Sequence, residues 1–160
     1  MMDLGSEGLK NQLVAENACG AEFTMTVEYK IIESQKLVYV RMSGVVIFSE
    51  LMTHIRRLSR DHKYRSPMKK LVDFRYCTHY ELSMEEGVTF AMANSHLCDT
   101  FDNEKCAFVA PKDIEFGMCR VHEAHTFESG IESNVFRGFE DALDWLKINI
   151  NDDELDFEEG

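Results

Sequence analysis

The stretch KKLVDFRYCTHYELSMEEG, residues 69–87, decides how this chain is expected to fold. Its first half is apolar and predicts a short buried strand over residues 70–74. Its second half opens a helix, because Ser83 and Glu86 have the three-residue spacing of a capping box. The polar turn between them lies where a parallel strand delivers its carboxyl end to a ligand crevice. We therefore predict a polar crevice formed by six side chains: Asp73, Arg75, Tyr76, Cys77, His79 and Ser83.

The helix that begins at Ser83 and runs to about residue 98 has small or apolar residues on two faces. One face contains Gly87, Val88 and Ala91. The second face consists of Phe90, Ala93, Leu97 and Phe101. A helix that is apolar on two faces is generally covered twice. We expect the second face to be an interface with another copy of the chain or the wall of a site for an apolar ligand.

The rest of the chain alternates strand-like and helix-like patterns. Residues 24–32 alternate polar and apolar side chains, and Ser34 and Gln35 allow a reversal into a strand over residues 36–42 that ends at Gly44. Later segments predict a helix capped by Ser49, a strand over residues 106–110, a helix capped by Asp113 that carries Ile114, Met118, Val121 and His125, a strand over 132–136 and a helix over 139–150. A hairpin followed by alternating helices and strands predicts an α/β fold: a five-stranded mixed sheet with an antiparallel edge hairpin and four helices.

The charge of the chain lies mainly at its two ends. The formal net charge is −12, of which residues 1–22 contribute −3 and residues 151–160 contribute −6, leaving −3 for the middle. Acidic flanks of this kind are usually solvated. We therefore expect a loose leader over residues 1–22, one domain over residues 23–150 and a disordered acidic tail over residues 151–160.

The cysteines and the amino terminus indicate a reducing compartment. The five cysteines are odd in number and include no CxxC pair, which predicts free thiols. The first residues lack the basic and apolar regions of a signal peptide, and no apolar run is long enough to span a bilayer. We expect a cytoplasmic protein without a membrane span.

Two further clusters have a structural and a functional interpretation. Residues 56–70 contain seven basic side chains and one acid, but stacking aromatics apart from Tyr64 are lacking, so we expect a solvated helix end and no nucleic acid. The acidic tail, or an acidic partner, is the hypothesised occupant of this basic run. Cys119, His122 and His125 have helical spacing, but without paired cysteine knuckles we predict no metal and no cofactor.

Three local patterns resemble a known group of proteins. They are Gly44 followed by a helix opened by Phe48-Ser49-Glu50, the strand end Leu71-Val72-Asp73-Phe74-Arg75, and Val135-Phe136 followed by Ala142-Leu143-Asp144-Trp145-Leu146. Together they resemble the SpoIIAA-like proteins of the STAS superfamily, which include anti-sigma-factor antagonists, over about residues 25–148. The resemblance implies a SpoIIAA-like fold and a regulatory role. In antagonists the turn after the third strand holds a phosphorylatable serine; here Thr78 and Ser83 are the nearest hydroxyls, and the serine motif is missing.

These observations give three functional hypotheses in order of preference. The first is a non-enzymatic, cytoplasmic regulatory or protein-interaction module that forms a homodimer through the helix over residues 83–98. The second is a carrier that binds a small apolar or lipid-like ligand between that helix and the next. The third is an enzyme that uses Asp73, Arg75 and His79. The structural alternative for Asp73 and Arg75 is that they fix the turn through hydrogen bonds and an ion pair.

Overall fold

The sheet has the number of strands and the mixed strand directions that the sequence predicts. The computed structural model describes residues 26–96, 104–127 and 130–157. Five strands lie side by side in sequence order: β1 (Val27–Ile32), β2 (Leu37–Ile47), β3 (Lys69–Glu81), β4 (Lys105–Val109) and β5 (Glu132–Phe136). β1 runs antiparallel to β2, and all later neighbours are parallel. The predicted fold class is confirmed.

Helices cover both faces of this sheet. In the described residues they are α1 (Phe48–Ser59), α2 (Met84–His96), α3 (Asp113–Thr126) and α4 (Phe139–Leu146). Alternate residues of β2 point to opposite layers: Val38 and Val40 belong to the core beneath α1 and α3, whereas Leu37 and Tyr39 belong to the core beneath α4. Strands buried on both faces explain why β2 and β3 begin as nearly continuous apolar runs.

The two central strands are longer than predicted. β2 does not end at Gly44, because this residue adopts a left-handed φ of 66° that glycine tolerates, and the strand continues past a register shift. β3 likewise continues through the expected polar turn to Glu81. Residues 43–47 of β2 and 76–81 of β3 therefore pair beyond the end of β4, and we call this extension the β2–β3 ribbon.

The two later helices also depart from the sequence prediction, α3 in its buried face and α4 in its length. In α3, Ile114 is 70% exposed, and the buried residues are Glu115, Cys119, His122 and Thr126, one position further along. The apolar stripe was misassigned because this helix turns several polar side chains toward the core. α4 stops at Leu146 because Lys147 takes a left-handed conformation and its N–H caps the last turn.

The expectation of a disordered tail over residues 151–160 is wrong for residues 151–157. Asp152–Leu155 form a short 3-10 turn, and Leu155 is only 2% exposed in the core beneath α4. The ring of Phe157 lies 5.9 Å from that of Tyr39. Asp152 of this segment binds Arg75, and the Asp156 backbone carbonyl accepts from Lys30, neither of which belongs to the basic run over residues 56–70. The high acid content of residues 151–160 led to the prediction of disorder, although Leu155 and Phe157 anchor the segment to the core.

The expected leader, residues 1–22, lies outside the described residues. Within the part of the chain that the structure describes, no helix is long and apolar enough to cross a membrane.

Candidate functional site

Asp73 is the centre of the polar cluster that the sequence places at the end of β3. Its side chain is fully buried and accepts a hydrogen bond of 2.6 Å from the Tyr39 hydroxyl. The Arg75 backbone N–H donates to its Oδ1 at 2.9 Å, and the Arg75 guanidinium donates to its Oδ2 at 2.9 Å. Both oxygens are thus occupied by groups of the same chain.

Arg75 extends this cluster to α4 and the carboxyl-terminal segment. Its guanidinium donates to Asp152 at 2.9 Å and lies 3.9 Å above the ring of Phe139. The hydrogen bond from Arg75 lowers the pKa of the Asp152 carboxyl. β2, β3, α4 and the carboxyl-terminal segment therefore meet at one ion-pair network. The hydrogen bonds and the ion pair of the structural alternative are present, but they fix a strand rather than the expected turn.

The remaining members of the predicted crevice do not join Asp73. His79 is exposed and lies six residues further along the strand, which corresponds to about 20 Å in extended chain. Tyr76 is 48% exposed. Ser83 is the cap of α2, since it accepts from the Glu86 N–H at 3.1 Å while its own N–H donates to Glu86 at 3.0 Å. The six residues do not form one crevice, because the expected turn is an extended strand.

Cys77 is not an activated nucleophile. It is 2% exposed, and burial, together with the nearby Glu115 carboxylate, raises the pKa of its thiol to about 12. A thiol in this state is protonated at neutral pH and reacts poorly. Lys112 donates to the backbone carbonyl oxygens of Cys77 at 2.6 Å and Thr78 at 3.3 Å, so it satisfies the β3 edge where β4 has ended.

The second apolar face of α2 is turned partly into the molecule. Phe90 packs against the buried core, with its ring 5.2 Å from that of His122, and Ala93 is half-buried. Leu97 and Phe101 lie outside the described residues. α2 is flanked by α1 and α3. The sequence pattern called for packing on both apolar faces of α2. In the described part of this helix, the neighbouring helices α1 and α3 of the same chain provide that packing.

A small cavity lies where α2 and α3 meet the sheet and α1. Its volume is about 50 Å³. Phe90, Phe108 and Met118 line it with apolar surface, and His54, Lys70, Asn94 and His122 add polar groups. Asn94 and His122 are joined by a hydrogen bond of 3.3 Å.

The polar groups around this cavity are buried and strongly perturbed. Burial, and then the nearby Lys70 charge, lowers the pKa of His54 to about 3 and that of His122 to about 4, so both rings are neutral at pH 7. The Lys70 ammonium lies 3.3 Å from Glu104, whose carboxylate also accepts hydrogen bonds from Tyr64 and the Met68 N–H. Burial lowers the pKa of Lys70 and raises the pKa of Glu104.

Sequence reasoning missed this cluster, although a signal was present. Met68, Lys70, Val72 and Phe74 occupy alternate positions, so Lys70 belongs to the inward face of β3. The sequence analysis counted Lys70 among the solvated bases of residues 56–70 and therefore missed its inward position. Glu104 offered no such pattern, because it precedes its strand.

The three residues with helical metal-ligand spacing do not converge. Cys119 and His122 are buried in the core, whereas His125 is exposed. Within the described ranges, no three His, Cys, Asp or Glu side chains lie close enough together to hold a metal ion. The described cysteines, Cys77, Cys106 and Cys119, are free thiols.

The outer face of the β2–β3 ribbon exposes three large side chains, Val45, Ile47 and Tyr76, beside polar neighbours on the paired strand. The guanidinium groups of Arg41 and Arg75 lie 5.7 Å and 5.3 Å from the Tyr76 ring. Val45 is 42% exposed and Ile47 is 41% exposed, whereas Val46 between them is fully buried. Tyr76 lies opposite Ser43 in the strand register, which places its side chain on the same face as Val45. Large apolar side chains grouped on a surface often mark an interaction site.

The architecture is a SpoIIAA-like α/β fold, as the sequence resemblance implied. Among solved structures, the chain is similar to the crystal structure of an uncharacterised protein of the DUF3478 family with a SpoIIAA-like fold from Shewanella loihica PV-4. The two chains are 16% identical, the match covers 79% of this chain and 98% of that chain, and the TM-score is 0.51. No protein-family model and no curated protein matches the sequence. A likeness at this identity shows the fold and leaves function to the site.

Proposed function

We propose that this protein is a non-enzymatic regulatory module that acts through protein–protein contact at the β2–β3 ribbon, with a second copy of the chain as its partner. The observation that carries the proposal is the exposed apolar face formed by Val45, Ile47 and Tyr76, which are 41–48% exposed. Two-stranded ribbons are only marginally stable without cover. A partner that buries this face would stabilise the ribbon as well as bind it.

A second copy suits this face because the face can be complementary to itself. In a two-fold dimer the same patch meets on both subunits, so the apolar side chains of one copy pack on those of the other. His79 and Glu81 lie on β3 beside Val45 and Ile47 and are both exposed. A two-fold axis close to residue 80 would place His79 of each copy opposite Glu81 of its partner.

The polar residues near this face support binding rather than catalysis. Asp73 and Arg75 are bonded to one another and to Asp152. His79 is far from both along the strand. The third hypothesis, an enzyme that uses Asp73, Arg75 and His79, therefore lacks an assembled catalytic set.

The interface proposed here differs from the one that the sequence suggested. The helix over residues 83–98 was the expected dimer surface because of Phe90 and its neighbours. Phe90 now contributes to the core and the cavity. Val45, Ile47 and Tyr76 of the ribbon remain 41–48% exposed.

The oligomeric mass in solution tests the proposal. We expect size-exclusion chromatography with light scattering to give twice the chain mass of 18.5 kDa. The double variant Val45→Lys/Ile47→Lys should give the monomer mass, because two charges would be buried at the contact. Ile114→Lys is the matched control, since Ile114 is 70% exposed on α3 and should leave the dimer intact. A monomeric wild-type chain, or a dimer that survives both ribbon substitutions, would contradict the proposal.

A ligand carrier is the second candidate, and the cavity favours it in a restricted form. An engineered cavity of about 150 Å³ accepts benzene, so about 50 Å³ is too small for a lipid chain. The cavity volume therefore supports a ligand of few atoms.

A further inference from the structure

An open cleft lies where α1 and the residues that follow it meet β1, and the ribbon proposal does not use it. Its volume is about 510 Å³, which is within the usual range of small-molecule sites. Among the described residues, seven line it: Tyr29, Thr53, Arg56, Arg57, Arg60, Asp61 and His62. Three of the seven carry guanidinium groups, so the lining has the composition of an anion site.

The arginines of this cleft are grouped by the helical repeat. Arg56 and Arg57 follow Thr53 by three and four residues, and they therefore lie on the same side of α1. Arg60 follows Arg56 by four residues and continues that side past the end of the helix. Like charges at this spacing repel each other, and in the part of the chain that the structure describes neither Arg56 nor Arg60 forms an ion pair. An anion in the cleft would supply the counter-charge that they lack.

Asp61 is the acid of the cleft, and its carboxylate is already engaged. Its Oδ2 accepts from the Tyr29 hydroxyl at 2.6 Å, and its Oδ1 accepts from the Lys63 N–H at 2.9 Å. These two bonds hold the residues after α1 against β1. With His62 neutral, three guanidinium groups and one carboxylate give the lining a formal charge of +2. A phosphate monoester carries a charge of about −1.5 to −2 at neutral pH, so one such group balances the cleft.

The donor set favours a phosphate over a carboxylate. A phosphate monoester presents three outer oxygens that can accept from several guanidinium groups at once, whereas a carboxylate presents two. The favourable position of cations near the carboxyl end of a helix explains why bases occur here. That effect is satisfied equally by lysine, and it does not call for three arginines in one cleft.

Two observations favour a small and water-soluble ligand. The described lining contains no large aliphatic side chain that could enter a bilayer. The formal net charge of the whole chain is −12, which repels a long polyanion, whereas a compact anion meets chiefly the local positive charge.

We propose that this cleft binds a small, water-soluble phosphate monoester, with its phosphate group held by the three arginines and its organic part beside Tyr29 and Thr53. The Arg57 guanidinium lies 5.9 Å from the centre of the Tyr29 ring, which places a donor at the boundary between the two parts of the ligand. None of the ribbon residues lines the cleft, so the proposal is independent of the dimer.

A matched series of phenyl compounds tests the class of ligand. The full-length chain is titrated at neutral pH and constant ionic strength with phenyl phosphate, phenyl sulfate and phenol, whose head groups carry about two, one and no negative charges. Binding is followed from the side-chain Nε–H signals of Arg56, Arg57 and Arg60. We expect phenyl phosphate to bind at least about tenfold more tightly than phenyl sulfate, and phenol to cause no shift. Equal affinity for phenyl phosphate and phenyl sulfate, or no shift with either, would overturn the proposal.

Two substitutions locate the phosphate group. Arg60→Gln should reduce the affinity for phenyl phosphate at least about tenfold, because one guanidinium donor is lost. Arg65→Gln removes the same charge from a part of the basic run outside the cleft, and it should change the affinity by less than about twofold. Both side chains are exposed, so both variants should fold. Equal losses in the two variants would show that phenyl phosphate responds to the general charge of the run, and would reject the cleft as its site.

Sedimentation with vesicles distinguishes a soluble ligand from a lipid. The chain should remain in the supernatant with vesicles of phosphatidylcholine and phosphatidic acid, a lipid whose head group is itself a phosphate monoester. Cosedimentation with these vesicles but not with phosphatidylcholine alone, lost in Arg60→Gln, would contradict the soluble class and assign the cleft to a lipid head group.

Discussion

At the scale of single residues, the Asp73 carboxylate holds most of the polar cluster together. It is fully buried and accepts from the Tyr39 hydroxyl and from the backbone and guanidinium of Arg75. Removing one member of such a network leaves its partners without compensation, which costs more than the intact network contributes.

Asp73→Asn should therefore lower the free energy of unfolding by about 2 kcal/mol, because the charge is lost and the buried Tyr39 and partly buried Arg75 keep weaker partners. Urea unfolding measures this change. Asp113→Asn is the control, since Asp113 makes an ion pair while almost fully exposed and should change stability by less than about 0.5 kcal/mol. Equal effects of the two substitutions would show that burial of the Asp73 network has no energetic weight.

His54 and His122 should make the protein sensitive to acid. Their folded-state pKa values, about 3 and about 4, lie below the value of about 6.5 expected in the unfolded chain. The unfolded state therefore binds protons first, and stability present above pH 6.5 is lost as the pH falls from there toward 4. Each histidine should contribute a slope of about 1.4 kcal/mol per pH unit.

The slope is measured by urea unfolding between pH 4 and pH 7. His122→Gln should reduce it by the contribution of one histidine, whatever the variant does to stability at pH 7. Thr53→Gln is the control, because Thr53 is exposed on α1 and the substitution removes no titratable group, so the slope should stay unchanged. A slope that is the same in His122→Gln and the wild type would mean that His122 is protonated in the folded protein.

At the scale of secondary-structure elements, the helix starts show which local signals are reliable. Ser83 and Glu86 form both reciprocal hydrogen bonds of the capping box that their spacing predicts. Ser49 was the expected cap of α1, yet α1 begins at Phe48 after Ile47, which makes no side-chain cap bond. A two-residue signature therefore located a helix start where a single serine did not.

These two serines give a paired prediction. Ser83→Ala should lower the free energy of unfolding by about 1 kcal/mol, because the Glu86 N–H loses its acceptor. Ser49→Ala should cost less than about 0.5 kcal/mol, since Ser49 is exposed inside the first turn of α1. Thermal unfolding of both variants under one condition compares them directly. A larger loss in Ser49→Ala would reverse our assignment of the two helix starts.

Strand ends were harder to predict than helix starts for a physical reason. Residues 75–81 contain polar and aromatic side chains with no clean alternation, so the local pattern favoured a turn. The segment is nevertheless a strand, because residues 43–47 of β2 offer a parallel partner beyond Gly44. Pairing with a distant segment can override the local conformational preference of a sequence, and the sequence of the segment alone does not indicate that pairing.

At the scale of the whole molecule, the carboxyl-terminal segment closes the sheet face that α4 begins to cover. Leu155 is buried, Asp152 binds Arg75, and the guanidinium of Arg41 lies 4.5 Å above the Phe157 ring. The number of strands and the antiparallel edge of the mixed sheet followed from hydrophobic periodicity. The packing of this segment on the sheet could not be predicted in the same way, because Leu155 and Phe157 stand among six acidic residues.

Removal of residues 151–160 should therefore destabilise the domain by about 3 kcal/mol, chiefly because the buried surface of Leu155 and Phe157 is lost. Removal of residues 158–160 alone is the matched control and should have little effect, although it also removes two acids. Chemical unfolding distinguishes the two. If both truncations leave stability unchanged, the packing of residues 151–157 does not contribute to the fold.

Contact between two copies at the β2–β3 ribbon is the central claim, and isotope-filtered NMR on a mixed sample tests it most directly. Chain with labelled valine and isoleucine methyl groups is mixed with an equal amount of unlabelled chain, so that only contacts between copies give signals. We predict intermolecular NOEs from the methyl groups of Val45 and Ile47 to protons of the unlabelled copy, and none from Ile114. Absence of intermolecular NOEs at Val45 and Ile47, with signals at Ile114 or at no methyl group, would contradict the account.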